Sequence, residues 1–381
     1  MNALKTGSRI LITGGCGFIG RKLAEALIMQ GYQLSILDDL KPQIHGADPD
    51  LQWLKDKNIQ FIKEDICNRK IFKKLIREVN AVIHLAAETG TAQSMYEISQ
   101  YSETNIMGTA NLADALVNEN HSVQKVILAS SRAVYGEGKY RCPSCGIVYP
   151  KTRVLLDANA HFFEPPCPFC GKELSPIATD EASCTHPSSI YGMSKLAQEN
   201  MIRIACGAKK IPYTILRFQN VYGAGQSLVN PYTGILPVFI SLIKQKKQLL
   251  IFEDGLETRD FVHVKDIVSS IILSLTQEQA DNETFNVGSG EARTILSVAK
   301  MMYQILQQNE HYKITRQYRE GDIRHNMADI SYIKEKLNYT PKISFEQGLR
   351  EFICWAEKQP QADNDFDHSI HILKGKGLYS G

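Results

Sequence analysis

Short hydrophobic runs alternate with stretches of helical periodicity in the first half of the chain. RILITGG (residues 9–15) is such a run and ends in glycines, whereas FIGRKLAEALIMQG (residues 18–31) places hydrophobic residues at the spacing of a helix. The runs YQLSILDD, NIQFIKEDI, AVIHLAA, KVILASS and PYTILRFQN continue the alternation. Strands that alternate with helices predict a doubly wound parallel sheet with helices on both faces.

Three later segments depart from this alternation. Residues 139–175 contain two Cys-Pro-x-Cys-Gly sequences and interrupt the pattern. After Tyr222 the predicted elements become shorter and mixed, which indicates a smaller second lobe. The last residues, 359–381, are polar, and we expect them to form a partly disordered tail.

Composition and charge narrow the class of protein. The chain has 381 residues, of which 43% are hydrophobic and 22% charged, with a formal net charge of +2. This balance gives no electrostatic reason to expect nucleic acid or a membrane as a partner. No signal peptide is recognisable, and no apolar run approaches the ~18 residues of a membrane span. We therefore expect a cytoplasmic protein.

A glycine-rich turn joins the first predicted strand to the first predicted helix. TGGCGFIG places Gly14, Gly17 and Gly20 on a G-x-x-G-x-x-G frame. Such glycines permit a tight turn, close approach of a pyrophosphate to the backbone, and close packing of the helix on the strand. The alternative, an ordinary strand-to-helix turn, is disfavoured because an acid ends the second strand.

That acid is Asp38, at the position where a carboxylate binds the ribose hydroxyls of a dinucleotide and repels a 2′-phosphate. NAD is therefore favoured over NADP, although Lys41 is close enough to leave NADP open. Asp65 follows the third strand and is either a contact of the adenine edge or a solvated loop acid.

Tyr191 and Lys195, in YGMSK, are four residues apart on a predicted helix and share one face. A tyrosine hydroxyl titrates near ~10, and a neighbouring ammonium lowers its pKa toward the range of a general base. Alone, such a pair is equally a surface helix pair. Ser131 changes this, because it ends the fifth strand at the edge where open α/β sheets bind ligands.

Nine motifs spread over nearly the whole chain resemble one enzyme family. They are TGGCGFIG, LAA, TNIMGT, SSRAVYG, YGMSK, LRFQNVYG, RDFVHVKD, FNVGSG and REGDIRH. With them the chain resembles an extended short-chain dehydrogenase/reductase of the nucleotide-sugar epimerase and dehydratase group. The resemblance implies a Rossmann-type doubly wound sheet, a smaller mixed α/β C-terminal substrate lobe, an NAD cofactor, a nucleotide-sugar substrate and a homodimer.

The domain boundaries and the site residues follow from the resemblance. Residues 1–138 and 176–222 would form the NAD-binding domain, 139–175 an insert, 223–358 the substrate lobe with strands returning to the Rossmann sheet, and 359–381 the tail. Ser131, Tyr191 and Lys195 would be catalytic. The cofactor-binding residues would be Gly14, Gly17, Phe18, Ile19, Gly20, Asp38, Asp65, Ile66, Leu85, Ala86, Ala87, Asn105, Tyr191 and Lys195.

The substrate-binding residues implied by the resemblance are Glu88, Thr89, Thr91, Arg132, Asn220, Arg259, Arg319 and Asp322. Of these, Asn220 and Arg259 would contact the diphosphate, while Arg319 and Asp322 would border the nucleoside. The guanidinium group supports this for Arg259 and Arg319, because it binds phosphate as a forked donor. The alternative for both is a surface ion pair.

The residues after Ser131 discriminate between reactions of the group. Dehydratases that resemble this chain carry an Asp-Glu pair there, whereas this chain has Arg132 and Ala133, which cannot act as carboxylate acids or bases. A 4-epimerase is therefore favoured, and an NAD-dependent sugar dehydrogenase or reductase remains the alternative. A non-enzymatic NAD-sensing protein is disfavoured by the intact catalytic set.

Two further stretches point to the sugar. AAETGTAQSMYEISQY and QNVYGAGQSLVNPYTGIL resemble a bacterial subgroup that acts on dTDP-6-deoxyhexoses such as dTDP-L-rhamnose. Arg132 can bind sugar hydroxyls or a substrate carboxylate, so a uronic acid also fits.

The insert carries a candidate metal site. Cys142, Cys145, Cys167 and Cys170 form two C-x-x-C pairs, each followed by a glycine that lets backbone N–H groups turn toward the sulfurs. Four thiolates with no open position are typical of structural zinc, with an iron–sulfur cluster or a redox disulfide as alternatives. We expect a zinc ribbon that stabilises a long excursion close to the active site and that either covers the substrate cleft or extends a subunit contact.

Overall fold

A seven-stranded parallel sheet forms the centre of the fold. The computed structural model describes residues 4–46, 49–151, 163–232, 234–360 and 366–380. The first half contains β1 (Arg9–Thr13), α1 (Phe18–Met29), β2 (Gln33–Asp38), α2 (Pro42–His45), β3 (Ile59–Lys63), α3 (Arg69–Leu75), β4 (Ala81–His84), α4 (Thr91–Ser94), α5 (Ile98–Tyr101), α6 (Gly108–Asn118) and β5 (Lys125–Ser131). A π-helical segment, Ser102–Met107, joins α5 to α6, and single 3-10 turns lie at Gln52–Lys55 and Arg132–Tyr135.

The second half adds the insert and the elements of the second lobe. These are β6 (Tyr140–Cys142), β7 (Gly146–Val148), β8 (Ser175–Pro176), α7 (Ile190–Lys209), β9 (Tyr213–Phe218), β10 (Asn220–Tyr222), α8 (Ile235–Lys244), β11 (Leu249–Ile251), β12 (Thr258–His263), α9 (Val264–Thr276), β13 (Glu283–Val287), β14 (Ala292–Thr294), α10 (Ile295–Ile305), β15 (Tyr312–Ile314), β16 (Tyr318–Arg319), α11 (Ser331–Leu337), α12 (Phe345–Glu357), α13 (Phe366–Gly375) and β17 (Tyr379–Ser380).

The central sheet has the strand order β3-β2-β1-β4-β5-β9-β13, and every neighbouring pair is parallel. The predicted doubly wound Rossmann-type fold is confirmed. The chain moves outward from β1 in one direction and then, from β4, in the other. The carboxyl ends of β1 and β4 therefore flank the crevice where such sheets bind ligands.

Helices cover both faces of this sheet. On one face α3, α6 and α7 contribute Leu75, Leu112 and Ile202 to a buried core, and on the other α1 and α9 contribute Leu23 and Ile267. Both faces are buried, so the strands consist of nearly continuous hydrophobic runs rather than alternating ones. Each fully buried aliphatic side chain contributes roughly 1.5–3 kcal/mol relative to an exposed one.

The second lobe has its own core. Helices α8, α10 and α12 pack around three small sheets, with the strand orders β10-β12-β14, β11-β15 and β16-β17. Strand β13, from the same sequence region, pairs instead with β9 and completes the central sheet.

Residues 359–381, expected to be a polar and partly disordered tail, are ordered in residues 366–380. Residues 366–375 form helix α13, and β17 pairs antiparallel with β16. Phe366, Ile370, Leu373 and Tyr379 are buried in the core of the second lobe. The first three share one face of α13 and Tyr379 lies in β17, but in the sequence they are separated by polar residues that hide the pattern.

Candidate active site

A cavity of about 870 Å³ lies along the carboxyl ends of the central strands and extends into the second lobe. Every predicted catalytic, cofactor-binding and substrate-binding residue lines it, with the single exception of Asn105. Its size is that of a pocket for an extended ligand. Residues far apart in sequence meet here because the carboxyl ends of parallel strands share one edge.

The glycine turn leaves room for a phosphate group. Gly14 has a φ of +67°, and a Cβ on it would lie 2.8 Å from the backbone of Ala86. A Cβ on Gly20 would lie 2.5 Å from the carbonyl oxygen of Gly14. Helix α1, which follows, has no side-chain cap, so its first N–H groups remain available to an anion. The turn therefore fits the pyrophosphate of a dinucleotide.

Asp38 holds this turn from β2. Its carboxylate accepts hydrogen bonds from the backbone N–H groups of Cys16 and Leu40, both at 2.9 Å, and its Oδ1 lies 3.2 Å from Nε2 of His45. A carboxylate has about four acceptor sites, so one remains for a ribose hydroxyl. Asp38 can therefore bind a ribose hydroxyl, as predicted from the sequence. The same carboxylate also binds the backbone N–H groups of Cys16 and Leu40.

Lys41 has carboxylate partners of its own. Its ammonium pairs with Glu88 and lies 3.7 Å from Asp39, while Gln100 donates to the same Glu88 oxygen at 3.0 Å. Glu88 and Asp39 compensate the positive charge of Lys41, which was the reason for keeping NADP as an alternative cofactor. Glu88, which was predicted to contact the sugar, is thus the ion-pair partner of Lys41.

Asn105 lies behind the cavity and does not line it. The residue is fully buried in the π-helical segment; its amide oxygen accepts from the N–H of Glu88 at 2.7 Å and its amide nitrogen donates to Ser194 Oγ at 2.9 Å. Asn105 therefore fixes the turn after β4 against helix α7. Its contact with a cofactor stays a prediction.

The three predicted catalytic residues lie together on the cavity wall. Ser131 ends β5, and helix α7 begins directly after Ser189, whose side chain caps it by accepting from the N–H of Gly192. A Cβ on Gly192 would collide with the carbonyl of Ala133, so glycine lets α7 approach the end of β5. This close packing brings Tyr191 and Ser131 to the same wall of the cavity.

The electrostatics around Tyr191 differ from the sequence expectation. Burial raises the pKa of Tyr191, while the neighbouring Ser131 hydroxyl and the charge of Arg132 act in the opposite direction. The ammonium of Lys195 donates to the carbonyl of Ala129 at 2.9 Å. Burial lowers the pKa of Lys195 to about 7, partly opposed by Glu199. The charge of Arg132 therefore acts on the phenol, whereas the ammonium of Lys195 is bound to a backbone carbonyl.

The substrate side of the cavity is rich in arginine. The guanidinium of Arg259 donates to the carbonyls of Thr258, Ile323 and Arg324 at 2.8–3.1 Å, which fixes its plane. Arg319 pairs with Asp322 at 2.8–2.9 Å. Burial and the charge of Arg259 lower the pKa of Arg132 to about 10, which places these two cations near each other. Such a pair suits a ligand that carries negative charge.

Asn220, Thr89 and Thr91 complete the predicted set. Asn220 begins β10 and its amide oxygen lies 3.4 Å from Nδ2 of Asn326. The carbonyl of Thr89 accepts from Tyr101, whose ring meets that of Tyr191 edge-on at a centroid distance of 6.5 Å. Sequence reasoning missed Tyr101, because its contact depends on how α5 packs against α7.

A second missed residue is Glu257, which lines the cavity at the second lobe. It is 5% exposed, and among the described residues its Oε2 has no hydrogen-bond partner. Burial raises the pKa of Glu257 to about 7, with Arg259 acting in the opposite direction. No sequence motif marks this position, because the burial of the carboxyl group is a property of the fold.

The four cysteines of the insert lie together, as predicted. Their sulfur atoms are all within 4.8 Å of one another, and those of Cys142 and Cys170 are 3.5 Å apart. Tetrahedral zinc with Zn–S bonds of ~2.3 Å requires sulfur separations of about 3.8 Å. Gly146 and Gly171 have positive φ, and backbone N–H groups of Ser144 and Cys145 donate to Cys142. The donor set fits one tetrahedral ion.

The insert is built as a small separate layer. Strands β7, β6 and β8 form an antiparallel sheet over a core of Tyr140, Cys142, Val148, Cys167 and Leu174. None of its described residues lines the cavity, so the expectation that it covers the substrate cleft finds no contact in the described part. Residues 152–162 of the predicted insert lie outside the described residues.

Comparison with known proteins agrees with this site. A family model described as the NAD dependent epimerase/dehydratase family matches residues 10–151, and one described as GDP-mannose 4,6 dehydratase matches residues 171–352. The chain is 37% identical to dTDP-L-rhamnose 4-epimerase of Burkholderia thailandensis over 95% of this chain and 98% of that protein. It is 30% identical to UDP-N-acetyl-alpha-D-glucosaminuronate decarboxylase of Bacillus cytotoxicus, over 91% and 97%.

A solved structure shows the same architecture. UDP-glucuronic acid 4-epimerase from Bacillus cereus, in complex with UDP-glucuronic acid and NAD, superposes with a TM-score of 0.75 at 27% identity, covering 92% of this chain and 99% of that one. The chain belongs to the NAD-dependent epimerase/dehydratase family, and the resemblance found in its motifs is confirmed. No helix in the described part of the chain is long and apolar enough to cross a membrane.

Proposed function

We propose that this protein is an NAD-dependent nucleotide-sugar 4-epimerase. The observation that carries the proposal is the placement of Ser131, Tyr191 and Lys195 on the wall of one cavity, with Arg132 and Ala133 following Ser131 where a dehydratase would need acids. The glycine turn and Asp38 would hold NAD, which supplies a hydride acceptor and donor when bound. This assignment agrees with the comparisons, in which 4-epimerases recur.

The residues of the chain account for the proton movements. The phenolate of Tyr191 removes the proton of the C4 hydroxyl and later returns it, and Ser131 hydrogen-bonds the same oxygen as alcohol or ketone. Arg132 supplies positive potential that favours the phenolate, and Lys195 fixes the carbonyl of Ala129 beneath it. A 4-keto sugar held by its diphosphate then turns over and is reduced on the opposite face.

The diphosphate is the part of the substrate that stays fixed during this rotation. Arg259 and Asn220 would bind it, with Arg319 and Asp322 at the nucleoside. We further propose a dTDP-6-deoxyhexose such as dTDP-L-rhamnose as substrate, because that assignment combines the sequence resemblance with the 37% identity to a dTDP-L-rhamnose 4-epimerase.

Two finer assignments belong to the same proposal. Zinc bound by the four cysteines would hold the two C-x-x-C turns of the insert together. Its role would be structural, since four thiolates leave no open coordination position for catalysis. A homodimer would bury the apolar residues exposed on the face of α5, the π-helical segment and α7, which are Ile98, Met107, Met193 and Ile204.

The test uses purified protein with no added cofactor. It is incubated with dTDP-L-rhamnose, other dTDP- and UDP-6-deoxysugars, UDP-hexoses and UDP-glucuronic acid, and the C4 configuration is followed by NMR. Interconversion of C4 epimers without net NADH is the expected result, and the panel identifies the sugar. Accumulation of a ketone or NADH with no epimer would identify a dehydrogenase and refute the proposal.

A further inference from the structure

One buried arginine connects the cysteine insert to the substrate lobe. Arg324 is 1% exposed, and its Nη1 donates to Glu253 and Asp254 at 2.7 Å. Its Nε donates to Oε1 of Glu164 at 2.7 Å, and its backbone N–H donates to Glu137 at 2.9 Å. Such a group is held in one position by charge-assisted hydrogen bonds on several sides.

The loop that carries Arg324 also holds the arginine of the diphosphate site. The carbonyls of Ile323 and Arg324 accept from the guanidinium of Arg259 at 2.9 and 3.1 Å. Asp322, two residues before Arg324, pairs with Arg319 in the cavity. A shift of Arg324 would therefore move the acceptors that orient Arg259.

Glu164 reaches this loop from the insert. It precedes the second cysteine pair by three residues, and its carboxylate also contacts Nε2 of His325 at 3.0 Å. His325 in turn contacts Thr258 Oγ1 at 2.9 Å, directly beside Arg259. The base of the insert meets the same loop on another side, because the N–H of Thr179 donates to Met327 and its hydroxyl accepts from Lys139.

We propose that the cysteine insert positions the diphosphate-binding arginine through Glu164 and Arg324. Glu164 is a positioning residue, since neither it nor any other described residue of the insert lines the cavity. The idea rests on the proposed function only in assigning the diphosphate to Arg259. Closing the four-cysteine cluster fixes the segment that carries Glu164, so the state of the cluster controls affinity for the nucleotide sugar and leaves the hydride chemistry unchanged.

The first experiment removes the charge of Glu164 and keeps its shape. Calorimetry measures binding of NAD and, separately, of dTDP or UDP, whichever the wild-type protein binds more tightly. For Glu164→Gln we expect the Kd of the nucleoside diphosphate to rise about tenfold, because the partly buried contact with Arg324 loses its ionic partner, and the Kd of NAD to stay within twofold.

Glu173→Gln is the matched control, because Glu173 is exposed in the same insert and makes the same charge change. An unchanged nucleoside diphosphate affinity in Glu164→Gln would overturn the proposal, as would an equal loss in both variants. If Glu164→Gln also loses NAD binding, the variant His325→Gln tests the contact between Glu164 and His325 from outside the insert. An unchanged nucleoside diphosphate affinity in His325→Gln would also overturn the proposal.

The second experiment opens the cysteine cluster. Cys170→Ser, which alters an exposed ligand, is expected to weaken nucleoside diphosphate binding to a similar degree and to raise the KM for the nucleotide sugar more than it lowers kcat. Retention of wild-type affinity and melting temperature would refute the coupling. Because binding is measured without turnover, a protein that binds dTDP but epimerises no sugar would refute the proposed reaction and leave this test intact.

Discussion

Arg132 is the residue whose role changes most between sequence and structure. From the motifs it is a sugar-pocket arginine, but its charge also lowers the pKa of Tyr191, against the burial that raises it. Lys195 donates to a backbone carbonyl instead. The charge that acts on the tyrosine is thus that of the arginine following Ser131.

Replacing this arginine should shift the pH dependence of turnover. In Arg132→Met the phenol of Tyr191 loses a nearby positive charge, so its pKa rises and less phenolate is present at neutral pH. We expect kcat at pH 7 to fall about tenfold and to recover partly above pH 9, with the acid limb moved up by about one unit. Arg132→Lys is the control, and an unmoved limb in Arg132→Met would contradict this role.

Glu257 illustrates a buried acid that costs stability. Its pKa is raised to about 7 in the folded state by burial, against about 4.3 in an unfolded chain. Between these values the folded state binds the proton more tightly, so this group contributes less stability as the pH rises.

Glu257→Gln should therefore raise the free energy of unfolding by on the order of 2 kcal/mol at pH 8 and by little at pH 4.5. Urea unfolding at the two pH values measures the difference. Glu357→Gln, at an exposed position of α12, should show no such pH-dependent gain. Equal stability of Glu257→Gln and wild type at pH 8 would show that the carboxyl group is not destabilising.

At the scale of elements, the end of the chain is part of the second lobe. Helix α13 contributes Phe366, Ile370 and Leu373 to the same core as α8 and α12, and Phe366 also lines the cavity. The last described element, β17, pairs with β16, which carries Arg319 of the substrate site. The C-terminal segment thus supports the end of the cavity at Arg319, where we propose that the nucleoside binds.

Leu373→Ala is expected to lower the stability by about 2–4 kcal/mol, because it leaves a cavity around a side chain that is 1% exposed. His371→Ala, on the exposed side of the same helix, should change it by less than about 0.5 kcal/mol. Thermal or chemical unfolding measures both. Similar stabilities of the two variants would show that α13 does not pack as described.

At the scale of the whole molecule, the face formed by the π-helical segment and α7 exposes large apolar side chains to solvent. Ile204 is 73% exposed on α7 and Met107 55% exposed on the π-helical segment, both on the α3–α6–α7 side of the sheet. This is where the homodimer proposed above would form.

Ile204→Glu should convert a dimer into a monomer, because it places a charge in the apolar face that two copies would share. Light scattering after size-exclusion chromatography measures the molar mass. Met29→Glu, at an 89% exposed residue of α1 on the opposite side of the sheet, should leave the mass unchanged. A wild-type protein with the mass of one chain would refute the dimer.

Local patterns determined the parts of this protein that depend on near neighbours in sequence. Buried strands are continuous apolar runs, a glycine turn needs its glycines within seven residues, and the two cysteines of each pair are only three residues apart. Ser131, Tyr191 and Lys195 could also be assigned, because the short motifs that contain them resemble those of the family. For these features the physical cause is local, so the sequence displays it.

Only the tertiary structure decided the features that depend on packing between distant segments. Lys41 meets Glu88, Arg132 acts on Tyr191, and Glu164 meets Arg324 across separations of 47, 59 and 160 residues along the chain. Burial and charge compensation at these contacts set the pKa values and the orientation of the site. Side-chain desolvation is a property of the surrounding fold, and no residue pattern within one segment encodes it.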